Sequence, residues 1–205
     1  MLQTFKGASF ADTVAQIERT FIGAEKSTIS PRLTQNSINW HLFSAALLLK
    51  RNASQIDEII HSTGILLLLP SVLHQDERVN SLSLAAGNTG KGFDLETDKR
   101  IAEFTFIQWQ GGSETIRQNK IFKDFYFLAE KETPKIRELY VMGTMHPLKF
   151  FNGGRGIIPI LKGNAKLGND FTERYGTKFK KVRDYYAMKK HLVQIKDIRP
   201  LLSID

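Results

Sequence analysis

Asp94 and Glu103 are the residues of this chain whose type and spacing point most directly to chemistry. They stand in two short alternating segments, Gly92 to Thr97 (GFDLET) and Arg100 to Trp109 (RIAEFTFIQW), joined at Asp98 and Lys99. With Asp98 and Lys99 as a two-residue hairpin loop, Thr97 faces Arg100, and Asp94 stands directly across from Glu103. Opposed carboxylates repel across a strand pair, so this register requires a compensating positive charge. A hard divalent cation, Mg²⁺ or Mn²⁺, meets the need, because it prefers oxygen ligands and keeps several waters. The backbone carbonyl of Phe104 offers one more oxygen. Asp-Lys is not a favoured hairpin pair, and a slip of one residue would part the two carboxylates.

The elements that must hold this pair can be read from periodicity. Alternation puts Ile101, Glu103, Thr105, Ile107 and Trp109 on one face of their strand and Ala102, Phe104, Phe106 and Gln108 on the other. Upstream, Val14, Ile17, Phe21 and Ile22, and again Ile38, Leu42, Ala45, Ala46 and Leu49, recur at helical spacing. Ser54 with Asp57 reads as an N-cap opening a helix over Gln55 to Ser62, and Gly64 and Pro70 punctuate the stretch after it. Ser81 to Ala86 (SLSLAA) alternates like a strand before a loop over Gly87 to Gly90. Ser113 is placed to cap a helix over about 114–131, with Ile116, Ile121, Phe125 and Leu128 as apolar residues. Leu139 to Gly143 (LYVMG) reads as a buried strand, followed by a glycine-rich loop at Asn152 to Gly156, one or two helices, and a last strand at His191 to Ile198. This order predicts an α/β chain: a mixed central sheet flanked by helices, with residues 79–205 as the core and 1–78 as a helical segment packed on it.

An Asp on one strand, a Glu-x-x on the next and an αβ unit after it resemble the PD-(D/E)XK nuclease superfamily over Val79 to Gly143. The segment AEFTFIQWQGGSETIRQNKIFKDF is similar to uncharacterised bacterial members. The resemblance implies a restriction-endonuclease-like fold and a metal-dependent DNA endonuclease of restriction or defence type. It also implies Asp94 and Glu103 as the Mg²⁺ or Mn²⁺ residues, and a homodimer with one site per strand. The family pattern has a lysine two residues after the Glu, helping to activate the attacking water. Here that residue is Thr105, whose hydroxyl can position a water but supplies no cation beside developing charge. Three explanations stand: a lysine replaced to trap an inactive form, a role moved to Lys91, Lys99 or Lys120, or a natural non-cleaving relative. On the next helix, Gln118 and Lys120 are the residues expected to assist the site, among Ser113, Glu114, Arg117 and Asn119. An upstream carboxylate, Glu77 or Glu58, could supply another ligand, with surface charge the favoured reading of each.

The rest of the chain bounds the partner. Its formal net charge of +8 is concentrated near the C-terminus: Lys162 to Arg199 holds 11 Lys and Arg against four Asp and Glu. Phe171, Tyr175, Phe179, Tyr185 and Tyr186 are interleaved there. Such a segment fits a phosphate backbone, with Lys91, Arg117, Arg155, Lys178, Lys180, Lys181 and Arg183 as candidate DNA contacts; a solvated basic face is the plainer alternative. Cysteine is absent, which removes disulfides, thiolate nucleophiles and cysteine-bound zinc. Met1 to Phe10 shows no signal-peptide pattern and Ile65 to Leu69 is too short to span a bilayer, so a cytoplasmic protein with no membrane partner is expected. Ala85 to Gly92 (AAGNTGKG) is not a phosphate-binding loop, because a strand rather than a helix follows it. His41, His61, His74, His146 and His191 lack metal-ligand spacing, and Trp40 and Trp109 read as core. The competing functional reading is a non-catalytic DNA-binding or partner-binding protein on the same fold.

Overall fold

The computed structural model describes residues 16–17, 19–22, 26–41, 43–44, 47, 53, 56–84, 92–109 and 114–202. They fall into two units that divide between Ile56 and Asp57. The first contains helix α1 (Lys26–Gln35), none of whose residues is buried. The expected helical positions Val14, Leu42, Ala45, Ala46 and Leu49 lie outside the described residues, as do Ser54 and Ser113.

The second unit is α/β. Its sheet runs in the order β1 (Val79–Leu82), β2 (Leu95–Thr97), β3 (Arg100–Thr105), β4 (Ile136–Val141), β5 (Gln194–Asp197). β1 with β2 and β2 with β3 are antiparallel, whereas β3 with β4 and β4 with β5 are parallel. The mixed sheet with helices packed on it is the one expected from the order of the elements. β2, β3 and β5 are shorter than their expected stretches, with β3 ending at Thr105, whereas β1 and β4 begin earlier than expected, at Val79 and Ile136.

Alternation along β3 builds two apolar layers. Ala102 and Phe104 face helix α2 (Ile56–Val72), which lays Ile65, Leu68 and Val72 against them together with Leu95, Tyr140 and Ile198. Ile101 faces the other way, toward helix α3 (Thr115–Glu130). There Ile121, Phe122, Phe125 and Leu128 meet Leu139 and Val141 of β4. Around α3 gather α4 (Met145–Phe151), α5 (Ile158–Lys162), α6 (Ala165–Tyr175) and α7 (Val182–Lys189) before β5 and a last turn, α8 (Arg199–Leu202). Asn164 caps α6 by accepting from the Leu167 amide at 3.0 Å, and Gly176, at φ +53°, ends it.

The helix α2 corrects two expectations. Gly64 and Pro70 lie inside it rather than ending it. Ile65, Leu68 and Val72 recur on the buried stripe, each contributing about 1.5–3 kcal/mol; together they offset the roughly 3 kcal/mol an interior proline costs. Gly64 has a packing reason, since a Cβ there would come within 2.4 Å of the Phe106 ring. The helix therefore belongs to the sheet's own packing, and the boundary expected at 78/79 falls inside the second unit.

Beneath α2 lies a buried ionic network. Arg100 contacts Glu77 at 2.6 Å and Glu138 at 2.7 Å, with all three side chains at most 3% exposed. Tyr140 and Lys196 also donate to Glu138. This takes Glu77 out of contention as a metal ligand. Replacing Arg100 with Leu strands two buried carboxylates, and should lower unfolding free energy by about 3–5 kcal/mol in a urea titration. A loss below about 1 kcal/mol would show the network to be dispensable.

Candidate active site

The hairpin register is the expected one: Leu95 pairs with Ala102 and Glu96 with Ile101. Asp94 falls one position before β2 rather than within it. The same register would next set Asp94 across from Glu103, but the ladder stops at Leu95. The Asp94 carboxylate takes the Phe104 amide instead, at 2.9 Å. A residue in a strand turns its N–H and C=O to the same edge. The Phe104 carbonyl, expected as a ligand, therefore faces the β2 side, as Asp94 does.

Four side chains converge around this ladder end. Glu103 projects from β3 toward α3 and interacts directly with Asp94. Asp124, 2% exposed, comes from the buried side of α3 and bears on Glu103 as a second like charge. Lys120, one turn earlier on α3, places its Nζ 2.9 Å from Asp124 Oδ2 and 3.4 Å from Thr105 Oγ1. From the other layer, His61 of α2 brings Nε2 to 3.3 Å from Asp94 Oδ1. The two form a close pair, and His61 Nε2 has no other polar partner.

The electrostatics follow from this crowding. Burial pushes the Glu103 carboxyl well above the usual carboxylate range, and the charges of Asp124 and Asp94 push it further. Burial also acts to raise Asp94, but the His61 imidazole and the Phe104 amide outweigh it and hold that carboxyl below its ordinary value. Burial acts to lower the Lys120 ammonium, and Asp124, Glu103 and Asp94 more than offset it. The result is an acid pair with pKa values driven apart, beside a cation that stays charged. Among the described residues, no three His, Asp or Glu side chains stand close enough to enclose a metal ion without rearrangement.

The other expected residues separate into two groups. Lys99 is at the hairpin turn, 2.5 Å from Asp76, and so cannot take the lysine's role at Asp94. Lys91 lies outside the described residues. Gln118 and Asn119 make no hydrogen bond to either carboxylate; each has its side-chain oxygen buried without a hydrogen-bond partner. Arg117 is paired with Glu114, which precedes α3 without capping it through its side chain, and lines a shallow cleft with Thr105, Trp109 and Gly143. Glu58 is exposed on α2.

The basic residues form a separate group. Ile157 N donates to Lys180 O at 3.1 Å and Val182 N to Arg155 O at 2.9 Å, zipping the glycine-rich loop to the start of α7. Arg155 is thereby brought beside Lys180 and Lys181, while Lys178, Lys180, Lys181 and Arg183 are exposed. The aromatics interleaved with them are not free to stack on bases. Phe171 and Tyr185 are buried, and Tyr175, Phe179 and Tyr186 pack against the same core.

Sequence reasoning missed Asp124 and His61. Asp124 had a signal, as an acid one turn from Lys120 on the apolar side of its helix, close to Ile121, Phe125 and Leu128. His61 had none, because only the packing of α2 on the sheet brings it to Asp94. No family model matches the chain, and no curated protein or solved structure does.

The crowded acids predict a stability effect. A raised carboxyl pKa favours folding below the unfolded value and loses that contribution as pH rises through the folded one. Glu103→Gln removes the loss, so the metal-free variant should be more stable than the parent by about 1 kcal/mol or more at pH 8. At pH 4 the difference should vanish. Thermal melts in chelator at the two pH values measure it; equal melting temperatures at pH 8 would count against the repulsion.

Proposed function

We propose that the chain is a metal-dependent DNA endonuclease with a restriction-endonuclease-like fold. The observation that supports this reading is Lys120: an ammonium delivered from α3 to the Thr105 hydroxyl, next to Glu103. That is the neighbourhood a lysine at position 105 would occupy. Of the three explanations for Thr105, transfer of the role to Lys120 is the one this contact favours.

The donors available are of the kind a divalent cation takes, and holding one would draw them closer together. Asp94, Glu103 and the Phe104 carbonyl offer hard oxygens, and the repulsion that raises Glu103 is what a cation relieves. When bound, such an ion activates water and neutralises charge on a phosphodiester. The chain's own side chains then have separable tasks. Asp94, held by the Phe104 amide, is fixed at the ladder end. Lys120, braced by Asp124, presents a preorganised positive charge to the phosphoryl oxygens as the P–O bond to water forms and the ester P–O bond breaks. Thr105, 8% exposed, orients that ammonium. Arg155, Lys178, Lys180, Lys181 and Arg183 supply the positive surface for the DNA backbone, and a second copy of the chain would supply the second cut.

A cleavage assay on supercoiled and linear DNA with Mg²⁺ or Mn²⁺ tests the reading. The parent chain should nick or cut, Asp94→Ala should be silent, and Lys120→Met should lose about 10²-fold or more in rate while still binding DNA. Salt-sensitive binding with no cleavage by the folded parent would contradict the reading and leave the non-catalytic DNA-binding protein in its place.

A further inference from the structure

We infer that the outer face of α2 is a self-association surface, on which a second copy of this chain lays the same helix antiparallel. The inference goes beyond the nuclease reading, and its test makes no use of cleavage. It starts from a helix that is apolar on two sides. Gly64, Ile65, Leu68 and Val72 are buried against the sheet. On the opposite side Ile56, Ile59, Ile60, Thr63, Leu66 and Leu67 recur at three- and four-residue spacing, and all are exposed. Leu67 is 70% exposed and the other large apolar residues of this stripe 46–49%. A helix that is apolar all round is ordinarily covered all round. One side of this helix is open.

Charge and symmetry point to the occupant. The chain carries a formal net charge of +8, so two copies repel wherever their charged faces meet. Residues 59–75 contain no Asp, Glu, Lys or Arg. This face therefore escapes the repulsion, and it offers nothing to a charged partner. It is also complementary to itself. Thr63 stands at the middle of the stripe, with Ile60 and Leu66 three residues to either side, Ile59 and Leu67 four, and Ile56 and Pro70 seven. A two-fold axis through Thr63 sets Ile59 against Leu67, and Ile60 against Leu66, of the second copy, and each contact then occurs twice. Thr63 suits the crossing point. Its side chain is small, and its hydroxyl donates to the Ile59 carbonyl at 2.5 Å, so it enters an apolar seam already satisfied. Closing five half-exposed apolar side chains on each copy removes on the order of 1,000 Å² in all, the size at which specific interfaces begin.

The surface lies behind the site rather than over it. The stripe faces away from the sheet, so a second copy seated there leaves Thr105 and Lys120, on the α3 side, uncovered. The sheet side of the same helix carries His61, 3.3 Å from Asp94. Pairing of two copies thus braces the helix that closes one flank of the carboxylate pair.

Sedimentation velocity on the full chain over a concentration series, without DNA or metal, tests this. The parent should pass from monomer to dimer. Ile59→Glu and Leu67→Lys, each checked for an unchanged circular dichroism spectrum, should weaken association by about 100-fold or more, because each puts a charge into the apolar seam twice. An equimolar mixture of the two variants should dimerise again, since one half of its seam pairs opposite charges and the other half is unaltered. A parent that stays monomeric throughout, or a dimer that both variants leave intact, would overturn the surface. A dimer lost in both variants and not restored on mixing would overturn the antiparallel pairing about Thr63. Each of these failures leaves the nuclease reading to its own cleavage assay.

Discussion

Two half-buried carboxylates held in contact are the constraint on which the rest of this architecture turns. The contact of Asp94 with Glu103 raises the energy of the metal-free fold, and the surrounding groups hold it in place rather than letting it relax. The Phe104 amide anchors Asp94 at the point where the β2–β3 ladder stops. The β3 alternation sends Glu103 toward α3, where Asp124 adds a third negative charge and Lys120 a positive one. Carboxyl groups with pKa values driven apart beside a fixed cation are characteristic of sites that do chemistry or bind metal. A fold selected only for stability would replace Glu103 with an uncharged residue.

The second ionic centre shows the contrast. Arg100, Glu77 and Glu138 are deeply placed on the α2 side, with Lys196 reaching in from β5, yet every charge there has a partner of opposite sign. Nothing in that network is left to be satisfied by a ligand. It ties β3, β4 and β5 to the segment that leads into β1. The Asp94 end of the sheet holds the imbalance, with Glu103 pressed by the charges of both Asp94 and Asp124.

Much of the site was legible because β structure has a period of two. Once Asp98 and Lys99 are read as the turn, the register that puts Asp94 opposite Glu103 follows, and the same alternation assigns Ala102 and Phe104 to one layer and Ile101 to the other. The residues that were not legible depend on tertiary packing. Pro70 reads as a helix end, and only the burial of Ile65, Leu68 and Val72 carries the helix past Gly64. His61 is 33 positions from Asp94 in sequence and meets it only because that helix lies on the sheet. The aromatic residues interleaved in the basic segment give no sign in sequence of their place until the core that α3 shares with α6 and α7 is seen to enclose them.

The central claim is that Lys120 occupies the functional place that Thr105 leaves vacant, and exchanging the two tests it most directly. Single-turnover DNA cleavage would be compared for the parent, Lys120→Met, and the double variant Lys120→Met with Thr105→Lys. The account predicts that the double variant regains a large part of the rate lost in Lys120→Met, because a lysine from β3 reaches the same carboxylates. A folded, DNA-binding double variant that cleaves no faster than Lys120→Met would contradict it.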